Sequence, residues 1–203
     1  MKLYTAGSTV ANRESCKRLG VGLLLVDHWR NPSDYPYFAV DNGCFSAWKQ
    51  GKQWDPAPFL HILNKCRELH LIPDFVVVPD VVADSSASTQ RSFAWYGILR
   101  DLYPELPLYW AVQDGMDPEV CPHPHIDGIF VGGTTKWKLE TMPIWADTAR
   151  THGISIHVGR IGTPDRMVMA HMSGVDSIDS TTWVQRNGCL EHHIKEYREL
   201  VGE

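Results

Sequence analysis

The sequence predicts an α/β protein folded as a compact (β/α)8 TIM-like barrel, and three observations carry the prediction. Short apolar segments bounded by turn residues recur eight times along the chain. Several of them are nearly continuous apolar runs, Leu-Leu-Leu-Val, Phe-Val-Val-Val and Ile-Phe-Val, as expected of parallel strands covered on both faces. Helical patterns lie between most of these runs, so strands and crossovers alternate. An open doubly wound sheet is the structural alternative.

Taken in order, the strands are expected at residues 3–6, 22–26, 37–40, 74–78, 108–112, 128–131, 155–158 and 175–178. Residues 56–70 carry Phe59, Leu60, Ile62, Leu63 and Leu69 at helical spacing, and residues 88–102 carry Phe93, Tyr96, Ile98, Leu99 and Leu102 in the same way. Both read as crossover helices. Thr163-Pro164-Asp165 supplies an N-cap, a proline at the first helical position and an acid at the second, which starts a helix running to about residue 172. Helices over 137–151 and 189–201 complete the set. The link over residues 27–36 is too short and too rich in Pro and Asn to hold a helix. No linker, internal repeat or low-complexity segment marks a second domain, so residues 1–203 are expected to form one barrel domain.

Size and composition agree with that reading. A chain of 203 residues is long enough to bury a substantial core, and 43% hydrophobic with 21% charged residues describes an ordinary globular protein. No apolar run approaches the roughly 20 residues of a membrane span. The start, Met-Lys-Leu-Tyr-Thr-Ala-Gly-Ser, has no apolar signal core. A cytoplasmic protein with no membrane partner is the expectation. Five cysteines (Cys16, Cys44, Cys66, Cys121 and Cys189) at wide spacings include no Cys-x-x-Cys pair, and read as free thiols in a reducing compartment. A formal charge of -5 gives no global attraction to nucleic acid, so such binding must rely on a local basic face.

In a parallel barrel, catalytic groups sit at the C-terminal ends of the strands, where the loops build the pocket. The polar residues at those ends are Asp41, Asp80, Gln113, Gly132 with Gly133, Arg160, and Asp176 with Asp179. Each also has a structural reading: Asp41-Asn-Gly as a turn, Asp80 and Asp179 as caps, Gly132-Gly133 as a tight turn. Independent turn residues need not all fall on one rim, and their coincidence there favours a site. Gly159-Arg-Ile-Gly162 before a capped helix reads as a phosphate site with free backbone N–H groups. His123-Pro-His125 has the outline of a metal pair but no third ligand nearby in sequence, so no metal site is expected. His192 and His193 read as surface or packing residues. Most tryptophans read as core or rim aromatics, with Phe45, Trp48 or Trp137 able to stack on a base.

Six segments, Asp41-Asn-Gly-Cys-Phe45, Val78-Pro79-Asp80, Val112-Gln113-Asp114-Gly115, Asp127-Gly-Ile-Phe-Val-Gly-Gly133, Gly159-Arg-Ile-Gly-Thr-Pro164 and Gly174-Val-Asp-Ser-Ile-Asp179, resemble motifs of the tRNA-guanine transglycosylase superfamily, in the family's order. The first differs from the family's Asp-Ser-Gly-Gly-Phe at two of five positions, and the third and fifth each carry one inserted residue. The family's tRNA-acting members follow the last motif with Pro-Thr-Arg, a basic stretch and a Cys/His zinc subdomain. This chain reads Ser180-Thr-Thr-Trp-Val-Gln there and carries no such ligand set before Glu203. It is most similar to the reduced DpdA-type relatives that insert 7-deazaguanines into DNA.

The resemblance implies replacement of guanine in nucleic acid, DNA rather than tRNA, by a 7-deazaguanine. It makes Asp179, not Asp176, the nucleophile and Asp41 the general acid/base. Asp80 and Gln113, with the backbone amides of Gly132 and Gly133, would hold the base. Phe45 would stack on it, and Arg160, Arg166, Lys136 and Lys138 would grip flanking phosphates. The scheme requires no cofactor. A purine N-glycosidase and a catalytically inactive nucleic-acid-binding barrel are the alternatives.

Overall fold

A computed structural model describes residues 1–6, 10–185 and 189–202. Eight parallel strands close into a barrel in chain order: β1 (Lys2–Thr5), β2 (Val21–Leu25), β3 (Phe38–Val40), β4 (Val76–Val77), β5 (Leu108–Val112), β6 (Gly128–Val131), β7 (Ser155–Val158) and β8 (Ser177–Asp179). The last strand pairs with the first, Ile178 opposite Leu3 and Asp179 opposite Tyr4. The (β/α)8 barrel read from the sequence is therefore the observed fold, and the open sheet is excluded. All eight expected strands are present, with small shifts at their ends. Regular β4 is only two residues long, yet Asp74 N–H donates to Phe38 O and Val78 N–H to Tyr109 O, so ladder bonding runs through the expected 74–78. Pro79 has no N–H with which to extend it.

Among the described residues the helices are α1 (Val10–Leu19), α2 (Cys44–Lys49), α3 (Ala57–Glu68), α4 (Ser85–Leu102), α5 (Thr135–His152), α6 (Pro164–Met172), α7 (Thr182–Gln185) and α8 (Cys189–Val201). The five expected helices correspond to α3, α4, α5, α6 and α8. Helix α4 starts earlier than residue 88 because Asp84 caps it, its side chain accepting from Ala87 N–H at 3.0 Å. Thr134 caps α5 by accepting from Trp137 N–H. Thr163 precedes α6 as expected but makes no side-chain capping bond. The link between β2 and β3 holds only a single 3-10 turn, Pro32–Asp34. None of the described helices is long and apolar enough to cross a membrane.

Apolar burial divides into layers. Tyr4, Leu24, Ala39, Phe75, Val77, Tyr109 and Ala111 fill the barrel interior, with Phe130 packed against them. The outward strand faces pack on the helices: Leu23, Leu25, Val40, Phe59 and Leu63 on one side, and Trp110, Ile129, Val158, Trp145 and Ile178 on the other. Burial of this kind stabilises by about 25 cal/mol per Å2 of apolar surface removed from water. All five cysteines are free thiols, and all but the half-buried Cys189 lie in the interior. Side chains fill the barrel interior, and a pocket opens at its rim.

Candidate active site

At the C-terminal ends of the strands lies a pocket of ≈ 520 Å3. Eight of the candidate residues read from the sequence line it: Asp41 and Phe45 after β3, Asp80 after β4, Gln113 after β5, Gly132 and Gly133 after β6, Arg160 after β7, and Asp179 at the end of β8. Asp176 does not. It lies exposed at the opposite end of the last strand, where its Oδ2 accepts from Ile156 N–H at 2.8 Å.

Asp179 is buried and held on one oxygen. Its Oδ1 meets the Arg160 backbone N–H at 3.1 Å and His157 Nε2 at 3.1 Å. His157, on β7, is fully buried, and its Nδ1 meets Ser177 Oγ at 2.9 Å. Burial holds this imidazole below its ordinary pKa, against the pull of Asp179. It is therefore neutral near pH 7. A neutral ring that donates from Nε2 to the carboxylate accepts at Nδ1 from the serine hydroxyl, which defines one tautomer. Phe130 stacks on the ring at 5.0 Å between centroids.

The turn from Gly159 to Gly162 binds the chain's own Asp179. Arg160 N–H goes to its side chain, Ile161 N–H to its backbone carbonyl at 2.8 Å, and Gly159 N–H to Val131 O. Three amides of the turn expected to hold a phosphate are thus already engaged within the protein. Arg160 adopts φ 59, a left-handed conformation uncommon for a residue with a Cβ. Its guanidinium lies 3.9 Å from the Phe45 ring centroid and donates to Gly133 O. A cation over that ring leaves the arginine facing the pocket.

Asp41 sits opposite, half-buried, at the start of a turn in which its Oδ1 accepts from Gly43 N–H at 3.1 Å and Asn42 Oδ1 from Cys44 N–H at 2.8 Å. Gly43 takes φ 77 there and opens α2. Burial, followed by repulsion from Asp179, Asp80 and Asp27, pushes the Asp41 carboxyl up to about 7, against the Gly43 hydrogen bond. Such a group holds or yields a proton near neutral pH.

Asp80 is buried at the centre of a side-chain network. Asn42 Nδ2 donates to its Oδ1 at 2.8 Å and Gln113 Nε2 to its Oδ2 at 2.5 Å. Burial raises its carboxyl above the usual range against these two donors. Gln113 Oε1 in turn accepts from Ala83 N–H at 2.9 Å and Gly133 N–H at 2.8 Å. The two glycine amides expected to meet a base are therefore already in use, Gly132 N–H on Val112 O and Gly133 N–H on Gln113. The glycines are needed for space: a Cβ on Gly132 would lie 2.3 Å from Gln113 Nε2, and one on Gly133 2.4 Å from Asp114 Oδ2.

The basic face differs from the expected one. Lys138 is fully buried, with Nζ 2.5 Å from Gly159 O, and reaches no phosphate; the first turn of α5 packs it under the end of β7. Lys136 is exposed and pairs with Glu140, and Arg166 is half-buried. Instead His28, Arg30 and Lys49 join Arg160 around the pocket. Of the aromatic candidates, Phe45 lines the pocket, Trp48 is 57% exposed beside it at 5.7 Å between centroids, and Trp137 lies under Gly133. Among the described residues no group of three or more His, Cys, Asp or Glu stands in a metal-binding arrangement, and His123 instead stacks on His152.

Sequence reading missed His157, Asn42 and the role of Lys138. The alternation of Ser-Ile-His-Val, which points every second residue into a barrel, was the available signal for the histidine. No protein-family model matches the chain, and no curated protein matches it either.

Proposed function

We propose that this barrel is a base-exchanging transglycosylase that replaces guanine in nucleic acid with a 7-deazaguanine through a covalent Asp179–glycosyl intermediate. The observation that carries the reading is the pairing, within one pocket, of a carboxylate clamped on one oxygen with a second whose proton is exchangeable near pH 7. Breaking a purine glycosidic bond leaves positive charge on the sugar and negative charge on the base, and the two carboxyl groups answer these two needs.

The Oδ2 of Asp179, which has no hydrogen-bond partner among the described residues, attacks C1′, the C1′–N9 bond breaks, and its electron pair leaves with the base while Asp41 delivers a proton to it. In the second half, the Asp41 carboxylate removes the N–H proton of the incoming base. That nitrogen attacks C1′ and expels Asp179. The Asp80 carboxylate accepts from Asn42 and Gln113 with the Cys44 side chain beside it, and its remaining lone-pair sites suit the N1–H and exocyclic amine of guanine and 7-deazaguanines alike. The Gly133 amide reaches the base carbonyl once Gln113 yields it. Phe45 stacks on the base, and Arg160, His28 and Lys49 meet the flanking phosphates. A purine within a duplex cannot enter, so the nucleotide is flipped out or single-stranded. No cofactor takes part in these steps.

DNA is the proposed polymer. The segment after Asp179 supports this, since Trp183 is buried with Nε1 on Gly162 O where a tRNA-acting relative would carry a basic stretch. The test offers labelled guanine or a 7-deazaguanine with duplex DNA, single-stranded DNA or tRNA. Incorporation into DNA is expected. Incorporation into tRNA alone would change the polymer, base release without incorporation would make the protein a glycosidase, and neither would leave a binding barrel.

A further inference from the structure

Lys138 is a buried cation that the proposed chemistry does not use. It lies on the first turn of α5, and its Nζ donates to Gly159 O at 2.5 Å. The peptide carrying that carbonyl continues into the Arg160 N–H, which donates to Asp179 Oδ1 at 3.1 Å. One peptide plane is therefore gripped at its oxygen by an ammonium and at its nitrogen by a carboxylate. Resonance couples the two ends, so charge drawn toward the oxygen makes the N–H a stronger donor, and hydrogen bonds in series polarise one another. The left-handed backbone at Arg160 aims this amide at Asp179, a conformation that surrounding contacts must sustain.

A buried lysine with a single such bond is a poor choice for stability alone, because an apolar chain of similar volume would fill the space without a charge to desolvate. We propose that Lys138 is a positioning residue for the Asp179 carboxylate, acting through the Gly159–Arg160 peptide to fix and polarise the amide that holds Oδ1. The assignment rests on Asp179 being the nucleophile. Holding Oδ1 in this way turns the other oxygen toward the substrate. The charged groups facing Lys138 are Arg160, Asp179, Asp114 and Arg166, with His157 beyond the carboxylate. Burial and the Arg160 guanidinium push its ammonium down to about 7, so the grip weakens as pH rises past neutrality.

The test compares the full-length wild type with Lys138→Met by amide NMR, thermal melting and single-turnover formation of the glycosyl-enzyme. The variant is expected to melt no lower than wild type, to show a shifted and faster-exchanging Arg160 amide, and to form the intermediate roughly 10- to 100-fold more slowly, the loss typical of a charge-assisted hydrogen bond. Its KM for the base should stay within about threefold, as for an interaction used in the chemical step. An unchanged Arg160 amide together with an unchanged rate would overturn the proposal. Should the variant fail to fold, the wild type decides: the Arg160 amide must titrate with the same midpoint as the Lys138 side-chain resonances, and a flat response overturns the coupling. A wild type that forms no glycosyl-enzyme refutes the transglycosylase reading instead, and the Arg160 response then still reports whether the peptide link exists.

Discussion

Asp41 and Asp179 line the same pocket, yet hydrogen bonding and burial treat them differently. Asp179 is anchored by the Arg160 amide and His157, whereas Asp41 has one backbone donor and several like charges around it. Asp179→Asn should therefore abolish the covalent intermediate in a trapping experiment. Asp176→Asn should keep it and lose only about 1 kcal/mol of stability at the Ile156 amide. A trapped adduct on Asp176 would reverse the assignment. For Asp41 the sign of the pH effect can be worked out. Its folded-state carboxyl keeps a proton up to about 7, while an unfolded aspartate loses it near about 3.9, so its contribution to stability falls as pH rises through that window. Melting of Asp41→Asn should gain on wild type between roughly pH 4 and 7, and a pH-independent difference would show that Asp41 titrates normally. The first catalytic half-step should also slow above about pH 7 in the wild type. The carboxylates were legible in the sequence because each follows an apolar run. Lys138 was not, since Thr-Lys-Trp-Lys-Leu-Glu reads as a solvated helix face, and only the packing of α5 against β7 buries the second lysine.

The strands could be read because burial on both faces writes them as continuous apolar runs, a signal that survives even in the two-residue β4. Helices α1 and α2 carried no comparable signal. Val-Ala-Asn-Arg-Glu-Ser-Cys-Lys-Arg-Leu has few apolar positions, and Cys44–Lys49 spans less than two turns. The turn after β7 carries a role that the sequence reading did not include. Its glycines and arginine do suit an anion, but the anion it holds is the protein's own Asp179, a contact between segments that no local pattern records. The glycines after β6 were legible as a pair but not in their purpose, which is for Gly132 to admit Gln113 and for Gly133 to admit Asp114 and Trp137. Gly132→Ala should displace the Gln113 side chain and break its link to Asp80. Overpacking of this kind destabilises by about 1 to 3 kcal/mol, and base affinity measured by calorimetry should fall with it. Trp183 braces the opposite side of the rim, donating to Gly162 O from a buried position, and Trp183→Ala should lower stability by about 3 to 5 kcal/mol in denaturant melts.

Taken as a whole, the molecule carries a formal charge of -5, and among the described residues the cationic side chains lining the pocket are Arg30, Lys49 and Arg160. Binding of a nucleic acid should therefore weaken with salt at a shallow slope, on the order of a few phosphate contacts, and Lys49→Ala should flatten it by roughly one contact in a fluorescence titration. A steep slope would point to a larger basic surface elsewhere. The pocket has one Asp80, backed by one Gln113, and on the proposed reading that pair is its one seat for a purine edge. The proposed exchange would then have the outgoing and incoming bases occupy that seat in turn, so it should follow ping-pong kinetics, with parallel double-reciprocal lines and each base inhibiting competitively against the other. In the proposed exchange one glycosidic bond replaces another of the same kind, and no co-substrate is spent to drive it forward. The extent of modification would then be set by mass action, as the ratio of free 7-deazaguanine to free guanine around the protein.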